Sequence, residues 1–224
     1  MKNTFLIILL FVSTIAISQN SVTKNVGDFS ELKVFDLIEV NLIPSTENKV
    51  VIKGENTQDV KVINEAGKLK IRMFLDNRFN GEETFVEVHY THLKIIDGNE
   101  GAQITGNQMI EQNTIELKTQ EGARIHVGLE VNFVKVKAVS GGIIEVSGRA
   151  QTQEVTVNSG GIYDAEELLS QDATLRITAG GEVSVHSKNS VDIRVTAGGD
   201  VTVYGNPKNV YKKTFAGGRI DFVD

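Results

Sequence analysis

Glycine pairs recur along the second half of the chain at nearly constant intervals, and that spacing constrains the fold more than any other feature. Gly141-Gly142, Gly160-Gly161, Gly180-Gly181, Gly198-Gly199 and Gly217-Gly218 follow two degenerate copies, Gly101-Ala102 and Gly122-Ala123. The first glycines lie 21, 19, 19, 20, 18 and 19 residues apart. A repeat of this length marks a solenoid. After each pair the chain alternates, as in Glu182-Val183-Ser184-Val185 and Asp200-Val201-Thr202-Val203; before it stand Val155-Thr156-Val157 and Ile193-Arg194-Val195. Period two with β-branched residues means strands with one buried face. No window of helix length carries a 3.6 period, the Leu and Asn positions of leucine-rich repeats are absent, and a propeller blade needs about twice this period.

Short strands repeated every 19 or so residues, each stacking on its own copy about 4.8 Å away, make a parallel β-helix. Stacking aligns equivalent positions into columns. The inward column reads Ile104, Ile125, Ile144, Tyr163, Val183, Val201, Ile220; the outward column one residue on reads Thr105, His126, Glu145, Asp164, Ser184, Thr202, Asp221. The glycine pair is the corner, where the backbone takes positive φ or passes close to a neighbour. Ala102 and Ala123 in its second place predict that only one of the two glycines is conformationally required. Upstream, Phe29 to Met73 keeps the alternation without the marks, with Glu65-Ala66-Gly67-Lys68 as a turn and Asn80-Gly81 as a loop tip. This stretch reads as early, irregular coils and a cap, since a solenoid end exposes strand edges that must be covered. A separate small β domain is the alternative.

The first eighteen residues read as an address. Lys2 precedes the apolar run Phe5 to Val12, and Ala16 and Ser18 are small residues ahead of a cut before Gln19. This is the layout of a secretory signal peptide, too short to span a bilayer. Cleavage removes Lys2 and no acid, taking the net charge from −6 to −7. The expected location is extracytoplasmic: periplasm, cell surface or released. An acidic chain argues against a nucleic-acid partner. Zero cysteines exclude disulfides, thiolate metal sites, cysteine nucleophiles and lipid attachment through cysteine.

The marks Ser140-Gly141-Gly142, Ser159-Gly160-Gly161 and the Ala-Gly-Gly marks at Ala179, Ala197 and Ala216 are each followed by x-[Ile/Val/Tyr]-x. Together with the ending Val201-Thr-Val-Tyr204-Gly-Asn-Pro207-Lys-Asn-Val210 and the extended opening Phe29 to Val40, they resemble the putative auto-transporter adhesin head GIN domain family. The resemblance runs from about Asp28 to Val223. It implies a secreted or envelope-exposed right-handed β-helix of Gram-negative bacteria, with no agreed catalytic residues to carry over. Many members have a serine inside the mark where this chain has Gly-Gly or Gly-Ala, a departure that touches corner geometry. No translocator barrel follows Asp224, so less than a complete auto-transporter is expected.

Chemistry is sparse. Glu145 and Asp164, outward on adjacent coils, are the one pair that could approach the separation for glycoside cleavage, carboxyls about 5–9 Å apart; solvation of an outward strand face is the simpler reading of them. His89 and His92 point to opposite faces of a strand and lack the glutamate of the helical zinc motif. The calcium-binding glycine repeat has a period of nine and aspartates absent here. Four residues before each first glycine, however, stand Lys118, Lys137, Thr156, Arg176, Arg194 and Lys213, an outward stack of five cations on six coils. They are candidate binding residues for an anionic glycan or lipid headgroup, unless Glu116, Glu154 and Asp192, two residues earlier, neutralise them.

The expectation is therefore an all-β, right-handed parallel β-helix with about 19 residues per coil. Residues 1–18 are a signal peptide, 19–27 a linker and 28–224 a single β-helix domain, irregular over 28–100 and regular over 101–224. The expected function is non-catalytic: an adhesin-like envelope module without cofactor, metal or catalytic residue, whose partner is a cell-surface glycan or envelope protein, with no membrane span after cleavage. The alternative is a carbohydrate-active enzyme of the lyase or hydrolase kind. Mass spectrometry of the exported protein should find Gln19 as its first residue; a product retaining residues 1–18 overturns the leader.

Overall fold

The computed structural model describes residues 21–224, so the leader expected at 1–18 lies outside the described residues. The chain forms a parallel β-solenoid of about 7 turns, ~19 residues apart. The regular coils are long bent strands: β9 (Gln103–Thr119), β10 (Arg124–Val139), β11 (Ile143–Asn158), β12 (Ile162–Thr178) and β13 (Glu182–Thr196), each paired in parallel with the next. The last coil is split into β14 (Asp200–Tyr204), β15 (Asn209–Phe215) and β16 (Arg219–Val223). The inward column falls in register as the repeat requires: Ile104 opposite Ile125, then Ile144, Tyr163, Val183, Val201 and Ile220. All but Ile220, on the uncovered last coil, are buried.

The coils bend where the alternation slips, and in β12 two slips divide the coil into three faces. In β10 the buried residues run Ile125, Val127, Leu129, Val131 and then change parity to Val134, Val136, Ala138. In β12 they run Tyr163, Ala165, then Leu168, Ser170, then Ala173, Leu175, Ile177. A parity slip swaps the side of the strand that faces inward, so the backbone must bend there for the interior to stay apolar. Register shifts between Glu145 and Gly148 and between Ala165 and Leu169 accompany the bends. Inside, the Tyr163 hydroxyl donates to Gln153 Oε1 at 2.7 Å and Gln153 Nε2 donates to Ser170 Oγ at 3.0 Å, so the buried polar groups satisfy one another.

The third corner of each coil is the glycine mark. Ser140 (φ 50) and Gly141 (φ 73) form a turn with both central residues at positive φ, closed by Gly142 N donating to Val139 O at 2.9 Å. A non-glycine residue at positive φ costs about 1–2 kcal/mol, less than the roughly 1.5–3 kcal/mol from burying one Val or Ile, so the core carries the corner. At the first four corners the second position (Ala102, Ala123, Gly142, Gly161) lies outside positive φ, as the alanines predict. The last three correct that expectation: Gly181 (φ 132), Gly199 (φ 130) and Gly218 (φ 118) are at positive φ too. Where conformation does not demand glycine, space does. A Cβ on Gly142 would meet Thr119 Oγ1 at 2.6 Å, whereas Ala123 fits because the residue in register with Thr119 one coil earlier is Gly98.

The N-terminal segment stacks out of chain order. β2 (Glu31–Val34) and β3 (Glu39–Pro44) form a coil lying between two later ones: β2 pairs with β6 (Lys68–Met73) and β8 (Ile95–Gly98), and β3 pairs with β7 (Thr84–Tyr90) and β9, all in parallel. Beyond them β4 (Lys49–Gly54) pairs antiparallel with β7, β1 (Val22–Asn25) with β4, and β5 (Val60–Glu65) with β6. These antiparallel strands cover the N-terminal edge. At the other end, among the described residues, β15 pairs only with β13 and β16 only with β14. There Lys212 takes the inward position of Ile193 and lies 5.7 Å over the Phe222 ring, an inward charge that discourages further strand addition.

Gly160→Ala and Gly161→Ala separate the two roles of the mark. Gly160 has positive φ and open space, so Ala there should cost about 1–2 kcal/mol. A Cβ on Gly161 would sit 2.2 Å from Ala138 O, so this variant should lose more, on the order of 2–4 kcal/mol. Urea unfolding of both variants checks the order; equal losses overturn it.

Candidate functional site

The third face, leading into the glycine corner, carries the cation column. The structure aligns it as expected: Lys118 opposite Lys137, then Thr156, Arg176, Arg194 and Lys213, all outward because their neighbours Leu117, Val136, Val155, Leu175 and Ile193 fill the core. The column two residues earlier holds Glu116, Lys135, Glu154, Thr174, Asp192 and Tyr211 in the same register. Acids therefore sit on the first, third and fifth of these coils. Glu116 pairs with Lys118 at 3.1 Å and with Lys135 of the next coil at 3.5 Å, and Asp192 pairs with Arg194 at 3.3 Å. Lys137, Arg176 and Lys213 are exposed and in no ion pair among the described residues. Expected local pairing thus holds for two of the five cations and fails for three.

The first face, after the glycine corner, has the opposite character. Glu145 and Asp164 lie opposite one another on β11 and β12, with Glu182 and Asp200 in the neighbouring column. Glu145 is already engaged, accepting from Arg124 Nη1 at 3.3 Å with His126 Nδ1 3.6 Å away. Around them lies a shallow groove of about 280 Å³ lined by His126, Glu145, Val146, Ser147, Asp164 and Glu167. His89 stands on β7, 4.0 Å from Glu87, and His92 lies exposed beyond the strand end, so the structure does not bring the two histidines together. Among the described residues no group of three or more His, Asp or Glu is placed to hold a metal ion, and no helix is long and apolar enough to cross a membrane.

A charged constellation that the sequence reading missed sits at the N-terminal corner. Asp36 and Leu37 have φ of 60 and 63, and Leu37 N donates to Glu100 O at 3.0 Å, so this pair occupies the corner that Glu100-Gly101 and Glu121-Gly122 occupy on the next coils. Asp36 is fully buried and accepts from Met73 N at 3.1 Å; Arg72 and Arg78 approach it at 3.7 and 3.8 Å, and Arg78 also holds Glu100 at 2.9 Å. Burial, with the adjacent Asp36 carboxyl adding to it, pushes the Glu100 carboxyl above its ordinary range against the pull of the two arginines. The period aligns Glu100 with Glu121, but Asp36 lies on a coil without a glycine mark, out of order in the pile, and nothing in the linear spacing connects them.

Comparison with known proteins places this architecture. The family described as "Putative auto-transporter adhesin, head GIN domain" matches residues 28–207. The fold is similar to that of a putative adhesin from Bacteroides fragilis, at 13% identity with TM-score 0.84, covering 93% of this chain and 98% of the other. It is also similar to a putative adhesin from Parabacteroides merdae (15% identity, TM-score 0.73) and to a putative lipid binding protein from Parabacteroides distasonis (16%, 0.69), each covering 93% of this chain and 98% of the other. At such identities the likeness is one of fold. No curated protein matches.

The Glu100 carboxyl gives stability a pH dependence of definite sign. Because the folded-state value of Glu100 is raised, the folded chain holds that proton more tightly than the unfolded one. Its contribution is complete below the ordinary value of 4.5 and is lost as pH climbs through the raised value. Glu100→Gln should therefore gain on the wild type in urea midpoint as pH rises from 4.5 to 7; a constant gap overturns this.

Proposed function

The chain belongs to the family of the putative auto-transporter adhesin head GIN domain, and on that premise we propose that it is a non-catalytic, adhesin-like module acting outside the cytoplasm. It binds surface molecules of the envelope, a glycan or an envelope protein, through repeated outward columns. The observation that carries this reading is the register itself: over six coils the outward positions of the first and third faces meet their equivalents on the next strand, about 4.8 Å away. Side chains so arrayed on a stiff sheet offer many weak contacts at fixed spacing, and their sum exceeds any one of them without a deep pocket. The leader-like residues 1–18 are in keeping with export.

An enzyme built on this fold would need a water-excluding cleft with an unengaged acid. Glu145, the best placed acid, instead stands on an open surface between Arg124 and His126. The chain also has no Trp to stack a sugar ring. A glycan array and a pull-down on intact envelopes test the proposal: the purified protein should be retained on a subset of surfaces, more strongly when multimerised, and release no product. Polysaccharide cleavage that disappears in Glu145→Gln overturns it.

A further inference from the structure

The third face carries free positive charge on alternate coils only. Glu116, Glu154 and Asp192 stand on the first, third and fifth coils of this face, and Lys135, Thr174 and Tyr211 take that place on the second, fourth and sixth. On the odd coils Lys118 and Arg194 are held by their own acids, and Thr156 carries no charge. The free cations Lys137, Arg176 and Lys213 fall on the even coils. Two strand spacings put them about 9.6 Å apart along the solenoid axis. That is close to the Debye length of about 8–10 Å in physiological salt, so each acts almost independently of the next. Free cations on every coil would instead repel by roughly 0.9 kcal/mol per neighbouring pair in water at about 4.8 Å.

We infer that this face binds a linear acidic polysaccharide lying along the solenoid axis, with one acid group per disaccharide meeting Lys137, Arg176 and Lys213 in turn. The inference deepens the adhesin-like reading and rests on it. A straight row calls for an extended ligand, and the wide spacing calls for sparse charge. Glu154, half-buried on the coil between Lys137 and Arg176 and in no ion pair among the described residues, faces the gap between ligand charges. A densely sulfated chain would set an anion against it, whereas an alternating uronic acid polymer would not. The selectivity thus has a repulsive element beside the attractive one. Thr174 and Thr156, neutral and beside the cations, leave hydroxyls for the uncharged sugars.

Binding of the protein to hyaluronan, which has one carboxylate per disaccharide, tests this, with neutral dextran and phosphatidylglycerol vesicles as the other arms. Hyaluronan should bind in a salt-dependent way and dextran should not. The triple variant Lys137→Gln/Arg176→Gln/Lys213→Gln should lose roughly tenfold or more in affinity, as three exposed ion contacts imply. The double variant Lys118→Gln/Arg194→Gln, which removes cations already neutralised, should stay within about twofold. Unchanged binding in the triple variant overturns the inference. So does an equal loss per charge in both variants, which would report net charge alone, and so does binding to the vesicles without binding to hyaluronan. If the triple variant keeps its hold on intact envelopes, the adhesin-like reading stands and this one falls. If the wild type is retained on no envelope and no glycan, both fall.

Discussion

Everything in this molecule depends on a strand lying in register over a copy of itself. Once coils stack about 4.8 Å apart, any position repeated along the chain becomes a row in space, and the row must suit its surroundings as a whole. Apolar rows suit the interior, and Ile104 to Val201 form one through six coils. The corners follow from the same rule. Ser140-Gly141 turns within its own coil while Gly141 N donates to Ser159 O of the next, so the turn belongs to the stack as much as the strands do. The positive φ at Ser140, Ala179 or Ala216 is tolerated because a whole face of apolar burial depends on turning there.

Stacking also imposes an electrostatic condition. A charged outward row places like charges at strand spacing, and the structure relieves this by two routes on the third face. Acids two residues upstream neutralise Lys118 and Arg194, and Thr156 breaks the row. The remaining cations are spaced widely enough to coexist in salt, and the same spacing leaves them available to a ligand. On the first face the acids Glu145 and Asp200 are offset by Arg124 and Arg219. Relief by pairing and relief by spacing have different consequences: paired charges stabilise little and bind little, while spaced ones stay open to an external partner.

The two ends handle their open edges differently. At the N-terminal end the antiparallel strands β1, β4 and β5 close the pile, and the coil formed by β2 and β3 is inserted between β6–β7 and β8–β9, so the cap is tied into the sheet by hydrogen bonds on both sides. At the C-terminal end β15 and β16 are the outermost of the described strands, and Lys212 takes the register position of the interior Ile193. With antiparallel strands over one end and Lys212 at the other, the repeated outward columns lie along the long faces between them.

Much of this was legible in the linear sequence, because a solenoid turns sequence period into spatial neighbourhood. The glycine intervals located every regular corner, and the residues that share a column could be named from spacing alone, the cations Lys118 to Lys213 included. What spacing cannot express is which coil lies on which when the order departs from the chain, and which contacts a side chain makes once there. Asp36 and Glu100 meet because the β2–β3 coil is wedged between later ones, a choice made by packing at the capped end. Gly142 must be glycine because Thr119 lies beneath it, while Ala123 is allowed because Gly98 does, a distinction set by volume across neighbouring coils. Of five identically placed cations, only tertiary geometry decided that Lys137, Arg176 and Lys213 remain free, since an ion pair is fixed by side-chain reach between rows. Periodicity determines the rows; contact across them determines what each row can do.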